Sequence, residues 1–198
     1  MSLVVALAKS KEAVIGGDRR SITFLGSCPE LEQDLYSGLI KDDESLLARA
    51  KEVGATLQVA DGRDKVWRRG DILVGEVTEI TPQLDRRRRI YVTPGAHLQV
   101  EISGNEVRVK DRGVAGCIIY GNRFTQQIAV SIVVQASGWV DEALVREIFQ
   151  KAGEQTASVS REYVILRSER RLSDPQKALE EALDGDCQEN GWRLCAPL

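Results

Sequence analysis

The chain has 198 residues, 42% of them apolar and 29% charged, an ordinary globular balance that excludes a disordered chain, a collagen-like repeat and a disulfide scaffold. Its 27 basic and 30 acidic side chains give a formal charge of −3, which provides no overall drive toward nucleic acid or an anionic membrane. Aromatic residues are only 5%, so the core is built mainly from Val, Ile, Leu and Ala.

Leu3 to Lys9 and Ala13 to Gly17 are β-rich runs on either side of Ser10-Lys11-Glu12, which predicts a hairpin at the start, and Ile22 to Leu25 continues as extended chain. Glu30 to Tyr36 and Asp43 to Val53 read as helices, the second capped by Asp42 or Asp43 and ended by Gly54. Strands resume at Thr56-Ala60, Lys65-Arg68, Ile72-Thr78, Arg89-Thr93, Leu98-Ile102, Val107-Lys110 and Cys117-Tyr120, which predicts a long antiparallel meander. After Gly121 the apolar period becomes helical, giving two helices near 123–136 and 141–153. Glu162 to Arg167 is a further strand, and Asp174-Pro175 opens a last helix through Leu183, with Gly185 as its stop. The pattern predicts a single α+β domain over 1–198, layered with sheets packed on each other and helices outside.

The most apolar stretch, Ile128 to Val134, is far shorter than the roughly 20 residues of a membrane-spanning helix, and the N-terminus lacks the basic start and long apolar run of a secretion signal. Cys28, Cys117, Cys187 and Cys195 form no C-x-x-C pair and read as reduced thiols. The expected location is the cytoplasm, with no membrane insertion, no cofactor and no metal. No G-x-x-x-x-G-K-[ST] loop is present, and nothing in the sequence specifies an oligomeric state.

Counting outward from the first turn sets Ser2 opposite Arg19 or Arg20, with Asp18 beside that pair. If Met1 is removed, Ser2 carries a hydroxyl and a free α-amine whose ordinary pKa of about 7.7–8.0 lets it act as the base for its own hydroxyl. A second count, from Arg69-Gly70-Asp71, sets Lys65 opposite Gly75, an ammonium near a backbone N–H able to meet a developing oxyanion. Taken singly, these are a second residue, a turn aspartate and a strand-end lysine; together they make a set for acyl transfer.

Ser2, Val14-Ile15-Gly16-Gly17-Asp18-Arg19-Arg20 and Lys65 with Gly75 resemble the proteasome β-subunit pattern, and the order of helices and strands after 120 agrees with it. That resemblance implies the four-layer αββα sandwich of N-terminal-nucleophile hydrolases. More narrowly, the 16–26 segment, Leu35-Tyr36-Ser37-Gly38, Val74-Gly75-Glu76-Val77 and Arg88-Arg89-Ile90-Tyr91 are similar to the archaeal connectase family of methanogens, as is the helical insertion at 30–53.

The connectase resemblance implies a protein ligase. Its N-terminal Ser or Thr cleaves a Lys-Asp-Pro-Gly-Ala-type sequence in a methanogenic methyltransferase subunit, keeps the upstream part as an acyl group and passes it to another N-terminal amine. It assigns Ser2 as nucleophile and base, Lys65 as the cation on the serine oxygen, Asp18 as partner of Lys65, and Gly75 N–H as oxyanion donor. Arg20 would brace Asp18, with Gln155 and Ser158 near the N-terminus; Gln155 stands where proteasome subunits have Asp. Longer relatives also carry a C-terminal region not included in this sequence. Two alternatives stay open: a peptidase or amidohydrolase with the same nucleophile, and a non-catalytic binding protein of the same fold.

Other signals have plainer readings. Arg86-Arg87-Arg88-Arg89 fits a solvated hairpin edge better than a nucleic-acid site, because no aromatic residue interleaves it. His97, the single histidine, reads as structural, Trp67 as a half-buried strand residue, and Cys117 as core.

Overall fold

The computed structural model describes residues 3–81, 84–136 and 140–195. By their contacts these fall into two compact units, each gathered from separate stretches of chain. The first takes in Leu3, Gly17–Asp64 and Ile119–Val164; the second takes in Val4–Gly16, Lys65–Ile118 and the stretch from Ile165 onward.

The second unit is built on two sheets. Strands β1 (Val4–Ala8) and β2 (Ala13–Asp18) are buried along their whole length and apolar up to the terminal Asp18, the pattern of strands covered on both faces. With β10 (Gly116–Tyr120) and β11 (Tyr163–Ser168), whose ends run into the first unit, they form a four-stranded sheet in the order β10-β1-β2-β11. The six-stranded sheet contains β5 (Val66–Arg69), β6 (Ile72–Thr81), β7 (Leu84–Thr93), β8 (Ala96–Ser103), β9 (Glu106–Gly113) and β12 (Arg193–Leu194), in the order β12-β9-β8-β7-β6-β5.

β1 packs against β6 and β7. The opposite face of the six-stranded sheet carries Val74, Tyr91, Leu98, Val100 and Ile102, which α5 (Pro175–Asn190) covers with Leu179, Leu183 and Cys187. Three layers of the expected sandwich therefore lie in this unit.

Gly75 makes the sheet packing possible. A Cβ there would stand 2.7 Å from Ile15 Cδ1 and 2.9 Å from Val4 Cγ1, closer than any side chain tolerates.

The first unit pairs β3 (Arg20–Leu25) with β4 (Thr56–Asp61) and carries the insertion as α1 (Pro29–Tyr36) and α2 (Asp43–Glu52). Leu31, Leu35, Leu46 and Ala50 form its core with Ile40 and Ala157. The helices α3 (Arg123–Gln135) and α4 (Glu142–Gln155) pack on one another in the same unit. Each of α2 to α5 starts at a side-chain cap, with Asp42, Asn122, Asp141 and Asp174 accepting the N–H of Ser45, Thr125, Leu144 and Lys177.

Several expectations need correction. The meander is not continuous: β4 leaves to pair with β3, and β10 joins β1. Gly185 does not stop the last helix, which runs on to Asn190 and ends at Gly191 in the left-handed region, φ +67°. Gly185 is instead a close-approach site, where the Arg69 guanidinium lies 2.5 Å from the position a Cβ would occupy. Lys65 does not face Gly75, because the turn holds two residues, Gly70-Asp71, so Arg69 pairs with Ile72 and Val66 with Gly75.

The arginine run is not an edge either. It lies on β7, inside the six-stranded sheet, where Arg86 pairs with Glu79 and Arg89 with Glu76 and Asp186. Cys117 is half-buried rather than core, and burial still pushes its thiol pKa up. Trp67 is half-buried as expected, with Arg89 stacked 5.2 Å from its ring. His97 is a buried strand residue whose Nε2 lies 3.2 Å from Asp111.

Candidate active site

Ser2 lies outside the described residues, so the structure reaches the chain's start at Leu3. There the first hairpin closes: Lys9 N–H donates to Glu12 C=O at 2.9 Å, and Asp18 N–H donates to Leu3 C=O at 3.1 Å. These two bonds make Ser10-Lys11 the turn and place Asp18 across from Leu3.

The Asp18 side chain then folds back on the same residue. Its Oδ1 accepts the Leu3 N–H at 2.7 Å, while Oδ2 accepts the N–H of Arg20 at 2.9 Å and of Ser160 at 3.4 Å. Asp18 is fully buried, so three backbone donors from three segments meet a carboxylate shielded from water. The residue that follows Ser2 is thereby fixed.

The Arg20 backbone N–H donates to Asp18, and its guanidinium engages two further carboxylates. Nε and Nη2 donate to both oxygens of Asp61 at 2.9 and 2.7 Å, Nη1 and Nη2 donate to both oxygens of Asp43, and Nη1 also donates to Ala157 C=O at 2.8 Å. All five N–H donors are thus used. The Asp61 hydrogen bonds, and then those of Asp43, raise the Arg20 pKa above its ordinary value against the opposing effect of burial. Arg20 thereby ties β3 and β4 to the N-terminus of α2 and the loop after α4.

That loop is the second contributor. Thr156, Ser158 and Ser160 are all buried, and Ser158 Oγ accepts from Asn122 Nδ2 at 3.2 Å and from Thr156 Oγ1 at 3.0 Å. Ser158 is thus held in a hydroxyl-amide cluster. Gln155, the last residue of α4, is exposed and joins neither group. The link to Asp18 comes from Ser160. It rests on Gly153 of α4, where a Cβ would stand 3.2 Å from the Ser160 carbonyl.

Lys65 and Gly75 belong to the other unit. Lys65 is buried at 5% exposure just before β5, and its carbonyl accepts the Glu76 N–H at 2.9 Å. Because N–H directions alternate along a strand, the Gly75 N–H points the other way, into the ladder with Ile90 on β7. That orientation argues against Gly75 as oxyanion donor and for its packing role.

Sequence reasoning missed Ser160, Asp43, Asp61 and Asn122. The Thr156-x-Ser158-x-Ser160 alternation is a visible signal for the first. Asp61 is recoverable from strand pairing, since it is the direct partner of Arg20 on β4.

A cavity of about 400 Å³ opens beside this group, lined by Arg20, Asp43 and Asp61 on one side and by Thr156, Ala157 and Ser160 on the other. Among the described residues no cluster of His, Cys, Asp and Glu could hold a metal ion. None of the described helices is long and apolar enough to cross a membrane.

No curated protein matches the chain. Among solved structures it resembles Thiobacillus denitrificans BPH in complex with epoxomicin, with a TM-score of 0.50 and 11% identity over 86% of this chain and 100% of that one. It also matches HslV from Trypanosoma brucei, with a TM-score of 0.48 and 12% identity over 85% of this chain and 99% of that one. A third match is the Gly-1 mutant of Anbu from Hyphomicrobium sp. strain MC1, with a TM-score of 0.42 and 8% identity over 96% of both chains. The likeness to the Thiobacillus protein shows the fold, an α+β sandwich of the proteasome-like, N-terminal-nucleophile hydrolase type. The family described as "Connectase MJ0548-like, N-terminal domain" matches residues 1–188, and the chain belongs to that connectase family.

Proposed function

We propose that this chain is a protein ligase whose nucleophile is Ser2, exposed by removal of Met1. The observation that supports it best is the buried Asp18 carboxylate on the Leu3 N–H at 2.7 Å, because it fixes the backbone one residue from a nucleophile that must be aimed.

In this reading the Ser2 α-amine takes the hydroxyl proton as Oγ attacks the carbonyl carbon of a peptide bond in the substrate. The bond to the downstream nitrogen breaks, that nitrogen takes the proton and leaves as a free N-terminus, and the upstream part remains as an ester on Oγ. The α-amine then attacks the ester carbonyl, returning a proton to Oγ and leaving an amide. Reversal with a different amine delivers the acyl group to a new N-terminus. One peptide bond is broken and one formed, so no external energy source is required.

Lys65 is assigned as the cation that favours the serine oxyanion and Asp18 as the group that orients the site. Both roles rest on the family resemblance together with the burial of the two side chains. The substrate class is a protein segment of the Lys-Asp-Pro-Gly-Ala type, with a methyltransferase subunit as its source.

The test is incubation of Met1-free protein with a peptide containing that sequence and a second peptide with a free N-terminus, read by mass. A retained acyl adduct and an exchanged product are expected, and Ser2→Ala abolishes both. Cleavage without adduct or exchange assigns a peptidase instead. Exchange that survives Ser2→Ala overturns the nucleophile.

A further inference from the structure

Asp18, Arg19 and Arg20 follow one another where β2 gives way to β3, and each holds a different stretch of chain. Asp18 takes Leu3 and Ser160, and Arg20 takes Asp43, Asp61 and Ala157. The partners of Arg19 lie in the connection between β4 and β5.

That connection is only Gly62-Arg63-Asp64-Lys65. Its first three residues are exposed, while Lys65 is buried. A short exposed link with a glycine at its head has many conformations open to it, so a buried ammonium at its end needs an anchor on both sides. Downstream the anchor is the start of β5, where the Lys65 carbonyl accepts the Glu76 N–H at 2.9 Å. Upstream it is Arg19.

The Arg19 carbonyl accepts the N–H of Gly62 at 3.0 Å and of Arg63 at 3.1 Å. Its guanidinium reaches further along the link: Nη2 donates to Gly62 C=O at 3.3 Å and Nε to Asp64 Oδ1 at 2.9 Å. Among the described residues, every hydrogen bond made by Gly62, Arg63 and Asp64 goes to Arg19. Arg19 is itself seated, its N–H on the Glu162 carbonyl at 3.2 Å.

The bond to Asp64 adds little to stability, because the two side chains are 32% and 59% exposed and so wet a pair contributes little. What it fixes is direction. Asp64 directly precedes Lys65, and a reacting group misplaced by about 1 Å costs on the order of 100-fold in rate.

We propose that Arg19 is a positioning residue whose side chain aims Lys65 by clamping the two ends of Gly62-Arg63-Asp64. The proposal rests on the ligase reading for the task of Lys65. The backbone bonds to Gly62 and Arg63 persist in any Arg19 variant, so removing the side chain frees the Asp64 end and leaves the fold in place.

Two readouts on full-length, Met1-free protein test the clamp. The first is the Lys65 Cε signal in protein made with 13C-lysine, assigned with Lys65→Met. Arg19→Met is expected to move that signal toward those of the exposed lysines, with a thermal melt matching the parent. The second is acyl transfer between the two peptides already described. Arg19→Met is expected to lower kcat about 10- to 100-fold with KM unchanged. Asp64→Ala shares most of that loss and adds little to Arg19→Met, since both remove one interaction. Arg19→Lys keeps the charge but cannot fork to Gly62 and Asp64 together, and recovers part of the rate.

A Lys65 signal that does not move, a loss of kcat that Asp64→Ala does not share, or a KM that rises while kcat holds overturns the clamp. No adduct from the parent, with a Lys65 signal that still responds to Arg19→Met, sinks the ligase reading and not the clamp. Unimpaired transfer by Arg19→Met sinks the clamp and not the ligase reading.

Discussion

Arg20 and Arg89 are both buried arginines forked between two carboxylates, yet they have different settings. Arg89 meets Glu76 and Asp186, whose side chains are 12% and 5% exposed, and its guanidinium is stacked on Trp192 at 4.8 Å and Trp67 at 5.2 Å. Asp186 also accepts from Tyr91 Oη and pairs with Arg69, so one α5 carboxylate meets three side chains of the sheet. Arg20 meets Asp43 and Asp61 at 57% and 33% exposure and reaches a loop carbonyl besides. A dry fork removes alternatives for a helix, while a half-wet fork joins segments that line a cavity.

The comparison breaks most readily at Asp186. Asp186→Ala leaves Arg89 buried without one counter-charge and Tyr91 without an acceptor, and is expected to cost about 3–5 kcal/mol. The urea midpoint measures it; a loss under about 1 kcal/mol would show that the carboxylate does not hold α5. Arg20→Ala leaves two carboxylates that water reaches, so the expected loss is nearer 2 kcal/mol. Acyl transfer should fall far more than that loss explains at a temperature where the variant stays folded. Equal loss of both would reduce Arg20 to a structural tie.

Gly153→Ala sharpens the same point. Helix propensity favours the alanine by about 1 kcal/mol, while its Cβ pushes on the Ser160 carbonyl at 3.2 Å. Stability should stay near that of the parent while transfer declines, and a variant with unchanged transfer would disconnect Ser160 from the site.

The smallest effect concerns Asp111, a largely solvent-facing carboxylate whose pKa is lowered by hydrogen bonding to His97. A carboxyl depressed on folding contributes stability above its unfolded value, near pH 4, and loses it as pH falls through the lower folded value. The stability difference between parent and Asp111→Asn should therefore be steady above about pH 4 and vanish on further acidification. A difference that grows in acid would reverse the assignment.

Local signals carried the reading of the sequence a long way. The Asp42 and Asp174 caps, the insertion helices and the long apolar runs of β1 and β2 are legible because their causes lie within a few residues. Asp18 is legible for the same reason, since one tight hairpin separates it from the chain's start. The β5–β6 register is missed by one because Arg69-Gly70-Asp71 permits two or three turn residues, and only Gly70 at φ +59° with Arg69 opposite Ile72 decides between them. The Arg20 fork is out of reach altogether: its partners stand 23, 41 and 137 positions away. Gly185 misleads because a helix glycine needed for close approach to Arg69 looks like a terminator.

The strand at Arg193–Leu194 has a consequence for the molecule in a crowded solution. It lies parallel to β9 at Glu106 and Val107, with Arg193 N–H bonded to Asn105 C=O and Cys195 N–H to Val107 C=O. The start of this border of the six-stranded sheet is thus covered by the chain itself, and along the rest of β9 stand Arg108, Lys110 and Arg112, half-exposed and paired with Glu106, Glu101 and Glu180. A neighbouring copy trying to extend the sheet at this border would find its first rungs occupied and would have to desolvate charged side chains along the next ones, which discourages lateral, amyloid-like growth there.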